Sequence, residues 1–493
     1  MAAMGWGIFF REKRPLVWGD KLTSVFPFFV VMSLAISPFL VFPFVSGAHF
    51  YDNQRLVEIA CVLFALVLVW FQLMHGAAIP QLLGRPLMLL LALFFLLGLA
   101  SSGTAYSPRH AFLDWANLLL LFCAAWLVAA EISAKGEQLL GKLLLFCGLA
   151  CAAYLLLEIA IYLSVLKAGI QPKPSQLIVG FDNYRSFNYV QTIALPMLGL
   201  LAARLPERGR RLFWWGITAL WWMLLYVSAG RGTFVGLTVA IAVVWCALGK
   251  SAWAWCRAML LAGFAGLLAY LFFYVFIPVA RGLAPFGLLL TTVERSVENP
   301  TSSRLQLWIR SLEMVAEDPW LGAGPLHFAH YGRDLQLGSS PHNWPLQIGS
   351  EWGLPALLLL CGALALALFK LWQLRKLVAA KDQSTLTAWL VTGLAILVDG
   401  VVSGLIVMPT SQLWIALYVG CAWGWTCARS PTVKTVDLRP SKVRLVCVTL
   451  AALLLIYAVA GGIWPELREL DVRNDFYSGT KALFPRVFSN GNF

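Results

Sequence analysis

The sequence predicts an all-α polytopic membrane protein, and three observations predict it. Hydrophobic residues make up 60% of the 493, and charged residues only 12%, where a soluble globule carries about 25%. The mean hydropathy is +0.76. The apolar residues are also gathered into runs long enough to cross a hydrocarbon core of ~30 Å as helices, which pair every backbone group within the segment.

Those runs lie at 24–46, 55–74, 84–101, 110–130, 139–166, 187–204, 212–229, 232–248, 253–280, 345–373, 385–408, 411–428 and 442–463. They predict 12 or 13 transmembrane helices. Residues 1–23 are expected to form a cytoplasmic N-terminus, and 24–280 hold nine spans. Residues 281–344 form one long loop, 345–463 hold the remaining spans, and 464–493 form a polar tail. The segments meeting at 229–232 and 408–411 also read as re-entrant hairpins.

Lys and Arg in short loops set the orientation. Arg11, Lys13, Arg14 and Lys21 precede the first span. Counting onward, Lys135 and Lys142, then Arg204, Arg208, Arg210 and Arg211, fall on that same side. So do Lys370, Arg375, Lys376 and Lys381, and then Arg429, Lys434, Arg439, Lys442 and Arg444. That side is expected to be cytoplasmic, which places 281–344 and the other odd-numbered connections outside. This asymmetry accounts for the net charge of +13, and no basic-aromatic module points to nucleic acid. The ten cysteines lie nearly all inside spans and give neither a disulfide framework nor a CxxC metal site. No cleavable signal peptide is expected, because the first apolar run is too long and starts too late.

The loop 281–344 is too long for a simple connector. Pro300, Thr301, Ser302 and Ser303 are helix-start signals. After them Leu305, Trp308, Ile309, Leu312 and Val315 recur at helical spacing and predict a helix over 303–317, with that face on protein or membrane. Arg304 flanks the stripe in the first turn, beside the helix N-terminal amides, a place that favours a phosphate. The plainer reading is that Arg304 pairs with an acid or snorkels. Arg310 points away, into solvent. The turn Trp320 to Pro325 is Gly-rich but lacks the phosphate-loop pattern.

His342, in Pro341-His342-Asn343-Trp344-Pro345, stands just before a span and so at the membrane boundary. An imidazole there can take a proton from a sugar hydroxyl near neutral pH. Asn343 beside it is a candidate ligand contact. Glu351 falls about 9 Å deeper at ~1.5 Å per residue. A carboxylate at that depth points to function, either orienting a ligand or pairing with an arginine. His327 and His330 could join His342 on a metal, but no carboxylate or cysteine spacing supports a metal site, and none is expected.

Two further arginines share this side. Arg231, in Ser228-Ala229-Gly230-Arg231-Gly232-Thr233, is pinned between two spans with almost no linker, the glycines allowing a tight turn. Arg185 lies at the mouth of a span with Asp182, Asn188 and Gln191, residues a sugar or phosphate pocket would use and an ordinary capped loop would also explain. Asp399 is intramembrane and expected to pair with an arginine; Gln412 flanks the same hairpin. Guanidinium groups hold diphosphates through a planar fork of permanent donors. They can also offset charge on a departing pyrophosphate, a task otherwise given to a divalent metal.

In these features the chain resembles the O-antigen ligase family (WaaL), within the wider O-antigen ligase, polymerase and O-oligosaccharyltransferase superfamily. The resemblance rests on about twelve spans, the long loop after the ninth, the Arg-Gly hairpin at Arg231, and the Pro-His-Asn…Glu-x-Gly stretch from Pro341 to Gly353. It implies a GT-C-type membrane glycosyltransferase of the bacterial inner membrane, its site facing the periplasm. It implies transfer of the O-antigen glycan from undecaprenyl diphosphate to lipid A-core, with inversion, in lipopolysaccharide biosynthesis, and no cofactor. By position the family's catalytic histidine falls on His342 and its substrate-binding arginines on Arg231 and Arg304, with Arg185 a further basic position. Glu351, Asn343 and Asp399 are expected to support substrate binding. The family ends on the cytoplasmic side after twelve spans, so the segment 442–463 departs from it and would place the tail outside. An O-antigen polymerase, a protein O-oligosaccharyltransferase and a lipid-linked glycan transporter are the other readings. A transporter would carry polar residues across the whole bundle rather than at one face.

Overall fold

The computed structural model describes residues 18–42, 45, 48–75, 79–80, 82–172, 176–289, 292, 304–429, 435–436, 441–470, 486–489, 491 and 493. The expected helix-start run at 300–303, the basic residues of 1–17, and Lys434 and Arg439 lie outside them.

The chain is an all-α polytopic membrane protein. Its long helices are α1 (Trp18–Ile36), α2 (Phe50–Met74), α3 (Arg85–Thr104), α4 (Pro108–Lys135) and α5 (Glu137–Ala168). Then come α6 (Tyr184–Arg204), α7 (Arg208–Ser228), α8 (Arg231–Leu248) and α9 (Lys250–Ala280). The long loop contributes α10 (Arg304–Glu317). Then follow the short α11 (Trp344–Trp352), α12 (Leu354–Gln373), α13 (Gln383–Gly400), α14 (Pro409–Ala428) and α15 (Lys442–Arg468). Among the described residues nine helices are long and apolar enough to cross a membrane. The other four long ones, α1, α7, α13 and α14, fall on the remaining predicted segments.

The apolar surface fits a lipid surround. Leu156, Leu358 and Leu454 stand 67%, 72% and 67% exposed, and side chains of this kind cover face after face where a soluble monomer would keep such patches small. Inside, α4 packs on α14 and α2, α8 on α13, and α7 on α6 and α9. Trp255, Trp389 and Trp425 are fully buried in the shared core. At one end Glu137 meets Arg204 and Arg429, and Arg429 also pairs with Asp382 at 3.0 Å. These residues stand at the ends of α5, α6, α13 and α14. The alternation of the helices then gathers the starts of α6, α8 and α14 at the opposite end.

Three predicted segments are not helical throughout, and one of them, 385–408, is helical only to Gly400. The run 24–46 is helical only to Ile36, because Pro38 and Pro43 follow. The run 345–373 breaks at Gly353, which adopts φ 87° and lies against the backbone oxygen of Trp320 so closely that a Cβ would come within 2.3 Å of it. The break frees α11 from the span and turns it onto α10.

In α10 the face against the protein is Leu307, Ser311 and Met314. Leu305, Ile309 and Leu312 of the expected stripe are exposed, while Trp308 and Val315 are partly buried. The helix thus carries apolar residues on both sides, and periodicity alone does not choose between them.

Candidate functional site

Three helix starts carry the three predicted arginines. Asn183 caps α6 by accepting from the Arg185 amide at 3.0 Å, Arg231 is the first residue of α8, and Arg304 the first of α10. The first turn of a helix leaves amide N–H groups without intrahelical partners and carries the positive end of the dipole. Arg185, Arg231 and Arg304 line one pocket, with Tyr189, Asp399 and Ser403 among its walls. Among the described residues no carboxylate lies within ion-pair distance of Arg185 or Arg304. Burial lowers the pKa of Arg304, and the neighbouring charges of Arg185 and Arg231 push the same way, opposed by Tyr189 and Asp399. Its charge and its helix N-termini suit the pocket to an anion.

Asp399, near the end of α13, forms its floor. The carboxylate is fully buried; Oδ2 accepts from Thr192 at 2.5 Å and from Thr233 at 3.2 Å, and Oδ1 has no hydrogen-bond partner. The Arg-Gly turn differs from its expected geometry. Its left-handed residue is Ala229, at φ 49°, whereas Gly230 is extended. The glycines serve close approach instead: a Cβ on Gly230 would lie 2.5 Å from Asn188, and one on Gly232 would lie 2.3 Å from Asp399 Oδ1. Tight contact, rather than an unusual φ, requires glycine here.

His342 stands beside this pocket. Its backbone is left-handed, φ 52°, a conformation uncommon outside glycine and often kept at functional sites. Trp308 of α10 donates to the Pro341 oxygen at 3.1 Å, so one helix holds both Arg304 and the histidine turn. On the other side the α13–α14 hairpin, residues 401–408, presses Gly404 against the imidazole; a Cβ there would come within 2.8 Å of Nδ1. The Gly404 amide donates to the Tyr189 hydroxyl of the pocket at 3.4 Å. Burial lowers the His342 pKa to about 3, helped by the charges of Arg304, Arg185 and Arg486. The ring is neutral near pH 7 and Nδ1 has no hydrogen-bond partner, so a lone pair is available there or at Nε2, according to tautomer.

Of the other expected residues, Asn188 also lines this pocket, and the rest lie elsewhere. Asn343 caps α11, accepting from the Leu346 amide at 3.0 Å. Glu351 is fully buried on the inner face of α11. It accepts from the Phe328 amide at 3.1 Å and from Arg486 Nη2 at 2.8 and 2.6 Å. Neither lines the arginine pocket. Asp182 accepts from the Phe50 and Tyr51 amides at the start of α2. Gln191 binds the Trp221 oxygen and Asn188, and Asn188 also donates to Ser228. Arg55 donates to Gln412. Arg310 is paired with Asp334 at 3.0 Å rather than left to solvent alone. Both nitrogens of His327 are engaged, by Pro325 O and the Ser107 amide at 2.9 Å each. Burial lowers its pKa to about 4.

Tyr189 and Arg486 escaped the sequence reading. Tyr189 looks like one more apolar residue of a span, although it follows Asn188 and precedes Gln191. Arg486 sits in a short tail whose only signal is its flanking aromatics, Phe484 and Phe488.

No curated protein matches the chain. A family model described as O-Antigen ligase matches residues 216–361. The match covers Arg231, Arg304, His342 and Glu351 and so takes in most of the site just described. Over those residues the chain is similar to the O-antigen ligase family.

Proposed function

We propose that this protein transfers an O-antigen glycan from undecaprenyl diphosphate to a sugar hydroxyl of lipid A-core, in the bacterial inner membrane with the site facing the periplasm. The observation that carries the reading is the convergence of three first-turn arginines on one pocket beside a neutral histidine. The donor's diphosphate sits among Arg185, Arg231 and Arg304, the polyprenyl chain lies in the bilayer, and the glycan's anomeric carbon faces His342. Asp399 holds the starts of α6 and α8 together through Thr192 and Thr233 and moderates the mutual repulsion of the arginines.

The acceptor hydroxyl attacks the anomeric carbon from the face opposite the diphosphate. A new glycosidic C–O bond forms, the C–O bond to phosphate breaks, and the configuration inverts. The hydroxyl proton passes to His342, and undecaprenyl diphosphate leaves with its added negative charge held by the guanidinium groups. These fixed cations do the work on the leaving group, so the reading includes metal-independent transfer. A histidine with a pKa near 3 is by itself a weak base. The incoming diphosphate places negative charge beside it and raises its proton affinity, so donor binding readies the base.

The test is reconstitution of the purified protein with undecaprenyl-diphosphate glycan and rough lipopolysaccharide, in the presence of a chelator. The expected product is glycan on lipid A-core. Growth of the glycan on its own carrier would make the chain a polymerase, and loss of transfer with chelator would overturn the metal-independent step.

A further inference from the structure

Residues 486–489 fold back onto the site end of the bundle and bind both walls that hold His342. Arg486 is 2% exposed. Its Nη2 binds both Glu351 oxygens, at 2.8 and 2.6 Å, and lies 3.8 Å from Asp114. With the Gln347 amide oxygen turned inward, that oxygen accepts from the two Nη atoms at 3.0 and 2.9 Å. Gln347 and Glu351 lie one turn apart on α11, the helix that starts just after His342.

The backbone of the same residue is tied to the opposite wall. Arg55 Nη2 donates to the Arg486 oxygen at 2.9 Å and to the Val407 oxygen at 2.7 Å, and the Tyr51 hydroxyl is shared between those two oxygens. Val407 closes the turn that begins at Gly404, the residue pressed against His342. Further bonds hold the segment in place: Arg55 Nε to the Val487 oxygen at 2.9 Å, and Ser489 to Asp52 through both its amide and its hydroxyl.

We infer that Arg486 is a positioning residue: its side chain grips α11 while its backbone is bound with the 401–408 hairpin, and the imidazole of His342 is fixed between the two. The inference rests on His342 as the base. The grip itself does not, and the experiment separates them. It follows transfer kinetics, and independently the rate at which diethyl pyrocarbonate carbethoxylates His342 in the full-length protein, read by mass spectrometry.

In Arg486→Gln the carbethoxylation rate of His342 rises severalfold. kcat falls about tenfold or more, while the KM for donor changes less than threefold. Arg486→Lys recovers part of both effects. Because Arg486→Gln leaves Glu351 buried and unpaired, the double variant Arg486→Gln/Glu351→Gln removes both charges and guards against simple misfolding. A glutamine at 486 is too short to span the two walls, so the double variant still shows faster modification and lower kcat. Wild-type modification rate and wild-type kcat in a folded double variant would overturn the proposal. Faster modification with unchanged kcat would uphold the grip and instead remove His342 from the role of base.

Discussion

Gly232 and Asp399 touch so closely that any larger residue at position 232 would force a shift: a Cβ there would stand 2.3 Å from the buried carboxylate oxygen. The contact seats the start of α8, and with it Arg231, against the end of α13. Gly232→Ala must therefore move either the helix start or a carboxylate already bound to Thr192 and Thr233. Overpacking of this kind costs about 1–3 kcal/mol. Transfer activity is expected to fall at least tenfold at equal amounts of membrane-inserted protein. Gly103→Ala is the control, since nothing lies within 4 Å of its added Cβ, and its activity should equal wild type.

The electrostatics of His342 give a pH prediction with a definite sign. Burial and the nearby arginines lower its pKa to about 3, so the free protein carries the neutral, proton-accepting form throughout the neutral range. The bound diphosphate supplies negative charge and shifts that pKa upward. kcat/KM reports the free protein and kcat the donor-bound one. The acidic limb of kcat should therefore lie at higher pH than that of kcat/KM. Coincident limbs, or the reverse order, would contradict donor-induced basicity.

Glu351 gives a stability prediction distinct from the chemistry. It and Arg486 form a buried pair with side chains no more than 1% exposed. Removing one partner of such a pair costs roughly 3–5 kcal/mol, because the other is left as an uncompensated charge. Glu351→Ala should lower the melting temperature and the yield of folded protein markedly. Glu351→Gln keeps a hydrogen-bond acceptor for Arg486 and should lower both less. Equal thermal stability of Glu351→Ala and wild type would show that the pair is not the anchor it is taken to be.

The fold was legible because lipid imposes one rule along the whole chain, and nine of the described helices are long and apolar enough to meet it. The arginines were legible for a related reason. A permanent charge at the mouth of a span must meet an anion, and Arg185, Arg231 and Arg304 do share a pocket. Partners were harder to read. Glu351 stood out as a buried acid, but its arginine lies 135 residues further on, in a polar tail with no periodic signal. Asn188 does line the pocket, whereas Gln191, one turn further on, ties α6 to α7 through the Trp221 oxygen, a distinction set by helix rotation rather than by residue type. The sequence reads the glycines at 230 and 232 as allowing a tight turn. They are present because neighbours from distant segments approach them closely, and such contacts leave no mark on local sequence.

The central claim is that the arginine pocket binds the donor's diphosphate while His342 takes the acceptor's proton. The most direct measurement is a paired one on Arg304→Ala and His342→Ala, each purified and folded: binding of undecaprenyl-diphosphate glycan, and transfer of that glycan to lipid A-core. Arg304→Ala should weaken donor binding at least tenfold and lose transfer with it, whereas His342→Ala should bind donor within threefold of wild type and transfer none. Wild-type transfer by His342→Ala, or unchanged donor affinity in Arg304→Ala, would contradict the account.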